Sequence, residues 1–142
     1  MGKPVAVVAL GLALVVTGCG GGSGEETTTA IPCDDAAFRA QDEELYVTKT
    51  AVSNASLGGS GPSSAATLRL DLQRARRALG DYLAAHPPCA DDLKRIAATE
   101  QTALDELDAA IASLDSKGGA TPHLAKALAS LRSAQSALIA GQ

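Results

Sequence analysis

The sequence predicts an all-α protein, an up-down-up-down four-helix bundle, and three observations carry that expectation. Beyond position 33 the apolar residues step by three and four, the spacing of one helix face. Strand-like alternation is nearly absent, and the 142 residues hold only two Tyr, one Phe and no Trp. Clusters of Gly and Pro break the chain between the periodic stretches.

The first predicted helix runs from about Asp34 to Leu57. Asp34 and Asp35 suit a helix amino terminus, where negative charge meets exposed backbone N–H groups. Phe38, Leu45 and Val52 recur every seven residues, with Gln41, Thr48 and Ala55 between them, so the stripe is thin. The GGSGP run at 58–62 ends it. The second helix is expected from about Ser63 to Ala85. Its seam is Ala65, Leu68, Leu72, Ala75, Leu79 and Tyr82, with Arg69, Arg74, Arg76 and Arg77 lying off it. His86-Pro87-Pro88 stops it, because consecutive prolines cannot continue a helix.

Asp91 and Asp92 open the third helix, expected from Asp91 to Ser116, with Leu93, Ile96, Leu104, Leu107, Ile111 and Leu114 on one face. Lys117-Gly118-Gly119 is a carboxyl-terminal stop. Thr121-Pro122 then offers an N-cap followed by a first-turn proline. Leu124, Leu128, Leu131, Ala134 and Leu138 form the stripe of a fourth helix reaching about Ala140. Two local matches suggest two related hairpins of about fifty residues each. Pro32-Cys33-Asp34-Asp35 is similar to Pro88-Cys89-Ala90-Asp91-Asp92. Leu72-x-x-Ala75-x-x-Ala78-Leu79 matches Leu131-x-x-Ala134-x-x-Ala137-Leu138, although that pattern is common in Ala-rich helices.

The amino-terminal segment is of another kind. Lys3 precedes an apolar run from Val5 to Val16, twelve residues that would span about 18 Å of helix, short of the ~30 Å hydrocarbon core. A signal-peptide core fits that length. Val16-Thr17-Gly18-Cys19 resembles the lipobox of bacterial lipoproteins: an aliphatic residue, two small residues and the cysteine that carries lipid. The resemblance is limited to this segment. It implies cleavage after Gly18, removal of 1–18, a diacylglyceryl group on the Cys19 sulfur and a further acyl group, such as palmitate, on the new amino terminus. Two or more chains would anchor the protein firmly, since each buried methylene contributes ~0.8 kcal/mol. Ala and Gly richness, with seven Arg against five Lys, makes the chain similar in composition to actinobacterial lipoproteins. Localisation on the extracytoplasmic face of the bacterial membrane follows from the resemblance.

Residues 19–32, lipidated Cys19 and then GGGSGEETTTAIP, hold too little apolar surface to offset their ordering entropy and read as a flexible linker. The helical domain is expected over 33–142. With Cys19 taken by lipid, Cys33 and Cys89 remain, and an even count in an exported domain reads as a disulfide. In an up-down-up-down bundle these cysteines precede the first and third helices, which start at the same end.

Chemistry-bearing patterns are scarce. Acids outnumber bases 16 to 12, a formal charge of −4, and with so few aromatics no nucleic-acid partner is expected. His86 and His123 fall at helix ends, where solvation is expected and no carboxylate stands at ligand spacing. No Glu-x-x-His motif, nucleophile elbow or phosphate loop occurs, so no catalytic residue, metal or cofactor is expected. Asp105, Glu106 and Asp108 read as a solvated helix face, and the arginines of the second helix as partners of acids across the bundle.

Glu100 stands out because it is spaced by seven from Leu93 and Leu107, on the apolar stripe. A buried carboxylate needs a partner, a ligand or a water-filled pocket. A slightly rotated helix, with Glu100 at the edge reaching solvent or an arginine, is the simpler expectation. The functional expectation is a membrane-anchored, non-catalytic binding or envelope accessory module that meets a protein partner or a second copy through a helix face. The alternative is a small-ligand carrier or sensor with a pocket between hairpins near Glu100.

Overall fold

The structure, a computed structural model, describes residues 29–57 and 65–142. The segment that resembles a lipobox, with Cys19, most of the expected linker, and Ser63 and Ser64 lie outside the described residues. The protein is an all-α helical bundle. Its elements are α1 (Asp35–Arg39), α2 (Asp42–Ser56), α3 (Ala65–Ala85), α4 (Asp91–Ala112) and α5 (Ala120–Ala140).

Long-range contacts fix the up-down-up-down order. Arg69 at the start of α3 reaches Asp115 just past α4, so those two helices run oppositely. Arg39 of α1 reaches the Gly141 carbonyl past α5, placing the beginning of the domain beside its end. Each long helix packs on two neighbours around a ring, α2 on α3 and α5, and α4 on α3 and α5.

The core follows the stripes read from sequence. Phe38, Leu45 and Val52 face Leu72 and Leu79 of α3, Leu93, Leu104 and Leu107 of α4, and Leu124, Leu131 and Leu138 of α5 in one buried cluster. The α4–α5 interface is the most extensive, and Ala103 and Ala110 of α4 and Ala127 and Ala134 of α5 are buried, small side chains that let helices approach closely. In the repeated segments, Leu72, Ala75 and Leu79 are buried with Ala78 exposed, and Leu131, Ala134 and Leu138 are buried with Ala137 exposed.

Three boundaries differ from the sequence expectation. The first helix is two: it breaks at Ala40–Gln41, because Ala40 closes a tight turn onto Ala37 and the Gln41 side chain folds back to donate to the Phe38 carbonyl at 2.8 Å. Asp42, Glu43 and Glu44 then form the acidic first turn of a new helix. The third helix ends at Ala112 rather than Ser116, where the Ser113 N–H is shared between the Ala109 and Ala110 carbonyls. Successive tight turns, Ser116 onto Ser113 and Gly119 onto Ser116, follow, with Gly118 at φ 76°, a conformation that favours glycine. They lead directly into α5, so Gly119 takes the N-cap position in place of Thr121.

Candidate functional site

At one end of the bundle α1 is fastened to the α3–α4 junction. Cys33 and Cys89 form the expected disulfide, Cα atoms 5.3 Å apart. Around it the Asp34 N–H donates to the Pro87 carbonyl at 2.9 Å, and the Tyr82 hydroxyl donates to the Ala37 carbonyl at 2.6 Å. Asp34 caps α1 through the Ala37 N–H at 2.9 Å, as its position before the first turn leads one to expect.

The outer face of α2 and α3 is the opposite kind of surface. A groove of about 440 Å³ lies between them, lined by Tyr46, Val47, Thr50, Ala51 and Asn54 from α2 and by Asp71, Arg74, Ala75 and Ala78 from α3. Tyr46 is 65% exposed and Val47 46%, while Leu70, one turn from Arg74 on α3, is 52% exposed. Tyr46 and Val47 lie off the Phe38–Leu45–Val52 stripe, which is why periodicity alone did not single them out. The signal available was two large apolar residues on the flank of an otherwise polar helix.

Glu100 is not at a helix edge. It is 0% exposed, meets no arginine, and neither carboxyl oxygen has a hydrogen-bond partner. The edge expectation fails because α4 packs on both α3 and α5, which leaves its mid-helix stripe no rim. Burial pushes the Glu100 carboxyl up to about 7, an effect the adjacent Gln41 amide partly offsets. Gln41 is itself fully buried, and its Oε1 is also without a partner. The third buried polar residue, Thr48, is satisfied, its hydroxyl donating to the Glu44 carbonyl at 2.7 Å.

The histidines also differ from expectation. His123 is half-buried, with Nδ1 2.6 Å from Glu106 Oε2, and this contact together with Lys126 holds Glu106 below the usual carboxylate range. His86 is half-buried against Tyr82, ring centroids 4.6 Å apart. The acidic run is thus only partly solvated: Asp105 and Asp108 are exposed, Asp108 meeting Arg76, whereas Glu106 is half-buried against His123. Two arginines behave as expected, Arg69 pairing with Asp115 at 2.6 Å and Arg76 with Asp108 at 2.8 Å.

Among the described residues no group of three or more His, Cys, Asp or Glu is placed to hold a metal ion, and no helix is long and apolar enough to cross a membrane. No family model, curated protein or solved structure matches the chain.

Proposed function

We propose that this chain is a lipid-anchored, extracytoplasmic and non-catalytic binding module whose α2–α3 groove receives an amphipathic helix of a protein partner. The observation that carries the reading is the groove itself, an apolar trough with exposed Tyr46 and Val47 at its lip. Ala51, Ala75 and Ala78 keep its floor low, and a partner helix can lay an apolar face along such a trough between two helices. Tyr46 supplies a large amphipathic anchor of the sort that dominates binding energy. Asp71 and Arg74 at the rim would fix register through polar contacts.

Support for the anchor comes from the Val16-Thr17-Gly18-Cys19 segment and from the pair of cysteines behind it, which suits an oxidising compartment. The carrier alternative draws on the unpartnered Glu100 oxygens, but Glu100 and Gln41 line neither the α2–α3 groove nor the one between α3 and α4.

Crosslinking in cells followed by mass spectrometry tests the binding role. A crosslinked partner peptide on α2 or α3, lost in Tyr46→Ala/Val47→Ser while the fold persists, is expected. Crosslinks only between copies of this chain would make the groove a self-association face, and a monomer that recovers no partner would overturn the reading. Intact mass of detergent-extracted native protein tests the anchor: a product beginning at lipid-bearing Cys19 is expected, and an unmodified chain retaining Met1 removes it.

A further inference from the structure

Three buried oxygens in the core lack a hydrogen-bond partner, two on Glu100 and one on Gln41, and the Gln41 amide is near enough to act on the Glu100 carboxyl. Buried polar atoms are normally paired, so such a cluster calls for a physical account. An ionised carboxylate offers acceptors only, and so does the amide oxygen. A proton on Glu100 turns one acceptor into a donor and gives the cluster an O–H to place.

The position of Gln41 makes that proton consequential. Gln41 sits at the break between α1 and α2, and its Nε2 donates to the Phe38 carbonyl at the end of α1. On one side of the break, α1 is fastened by the disulfide, by Tyr82 and by the contact between Arg39 and the Gly141 carbonyl. On the other side α2 begins without a side-chain cap and is held by its thin stripe, by Lys49 bonding to Gln135 and by the long 3.3 Å bond from the Thr48 hydroxyl to the Ala75 carbonyl, with no covalent link. The Ala40–Gln41 elbow therefore joins a fixed segment to a less fixed one.

We propose that Glu100 and Gln41 form a proton-operated latch under the Ala40–Gln41 elbow. With Glu100 protonated the buried pair is neutral and α2 stays seated. When the proton leaves to solvent, a charge remains in the core with only the Gln41 amide beside it, and the elbow opens to let water reach it. Opening at the elbow moves α2 and so alters the α2–α3 groove. The latch stands on the fold alone and holds whether or not the groove takes a partner.

No neighbouring charge substitutes for the proton. On α1, Arg39 is committed to Gly141 and Asp92; on α2, Lys49 is committed to Gln135. On α3, Tyr82 donates to Ala37 and Arg76 pairs with Asp108; on α5, His123 and Lys126 turn to Glu106, and Arg132 is exposed. None of these charges acts on the Glu100 carboxyl, which responds to burial and to Gln41.

Hydrogen–deuterium exchange on the full chain in detergent, corrected for intrinsic amide rates, tests the latch. The α2 amides should open more often than the slowest amides of α4 and α5. Their opening constant should rise about fortyfold from pH 5 to 7, somewhat less than tenfold per unit, and stay flat in Glu100→Gln. Exchange of α2 only through global unfolding, or a pH response unchanged in Glu100→Gln, would overturn the proposal. A second readout needs no variant: the carbon-13 resonance of the Glu100 carboxyl should titrate near neutrality, and a midpoint near 4.5 would sink the idea.

Discussion

The Asp35 carboxylate accepts a hydrogen bond from the Cys89 N–H at 2.6 Å, and the same Oδ1 atom accepts from the Ala90 N–H at 3.1 Å. A residue in the first turn of α1 therefore caps α4, across the disulfide that joins the same two segments. Charge-assisted bonds to free N–H groups at a helix start are worth ~0.5–2 kcal/mol. Closing a loop of 56 residues contributes roughly 4 kcal/mol in the chain-entropy account. Asp35→Ala should therefore lower the urea midpoint modestly, and Cys33→Ala/Cys89→Ala much more. Because cap and crosslink order the same junction, their combined loss should fall short of the sum. Strict additivity in a double-mutant cycle would show that the two act independently.

Stability should peak at mildly acid pH. The Glu100 carboxyl is raised from an ordinary 4.5 to about 7, so its favourable contribution is complete below 4.5. As pH rises from there, the unfolded chain ionises first and the contribution is lost until about pH 7, a change on the order of 3 kcal/mol. Glu106 works the other way: held low by His123, it favours the fold above the ordinary carboxylate range and loses that effect as pH falls. The opposing slopes cross in the ordinary carboxylate range and place the maximum at about pH 4.5. Urea midpoints from pH 4 to 8 read the curve, and Glu100→Gln should flatten its alkaline limb while leaving the acid one.

The frame was legible in the sequence because the residues that break helices are strong and local. GGSGP, His86-Pro87-Pro88 and Lys117-Gly118-Gly119 separate stripes whose apolar members, such as Leu72, Ala75 and Leu79, are buried in the structure. The break at Gln41 was hidden because Phe38, Gln41, Leu45, Thr48, Val52 and Ala55 keep their three-four rhythm straight through it, and all six are buried. A short non-helical step preserves the direction of the face, so periodicity cannot register it. Asp42-Glu43-Glu44 was the one local sign of a new start. Burial of Glu100 was half legible: the spacing put it on the stripe, but desolvation argued for the rim, and only packing on two sides settles the matter. His123 meeting Glu106 joins residues 17 apart on different helices, a relation no local pattern encodes.

Arg76 makes a two-point contact with Asp108, Nε to Oδ1 at 2.9 Å and Nη2 to Oδ2 at 2.8 Å, and this bond raises the arginine above its ordinary value. The pair bridges α3 and α4, the least extensive of the neighbouring helix interfaces. It is solvent-exposed, so water and salt screen most of its attraction, and Arg76→Ala should cost no more than about 1 kcal/mol. Arg76→Lys should recover little of that, because an ammonium cannot reproduce the fork. The difference between wild type and Arg76→Ala in thermal midpoint should shrink as salt rises from 0.05 M to 1 M, on the order of the fall in Debye length. A difference indifferent to salt would mean that the arginine stem, packed along the helix, matters more than its charge.

Gly80 sits mid-helix in α3, where a glycine costs roughly 1 kcal/mol relative to alanine through the backbone freedom it loses on folding. A Cβ at this position would meet Arg76 Nη1 at 3.3 Å and Leu104 Cδ1 at 3.8 Å. The first neighbour is the mobile end of a long side chain and can give by a few tenths of an ångström; the second is ordinary contact. Gly80→Ala should therefore raise stability by ~0.5–1 kcal/mol. The small shift of Arg76 should weaken its grip on Asp108, so the gain should be larger in an Arg76→Ala background than in the wild type. Urea unfolding of the four chains measures both effects. A loss of stability in Gly80→Ala that persists without Arg76 would place the clash at Leu104 instead, and would mean that α3 and α4 approach too closely there to admit a methyl group.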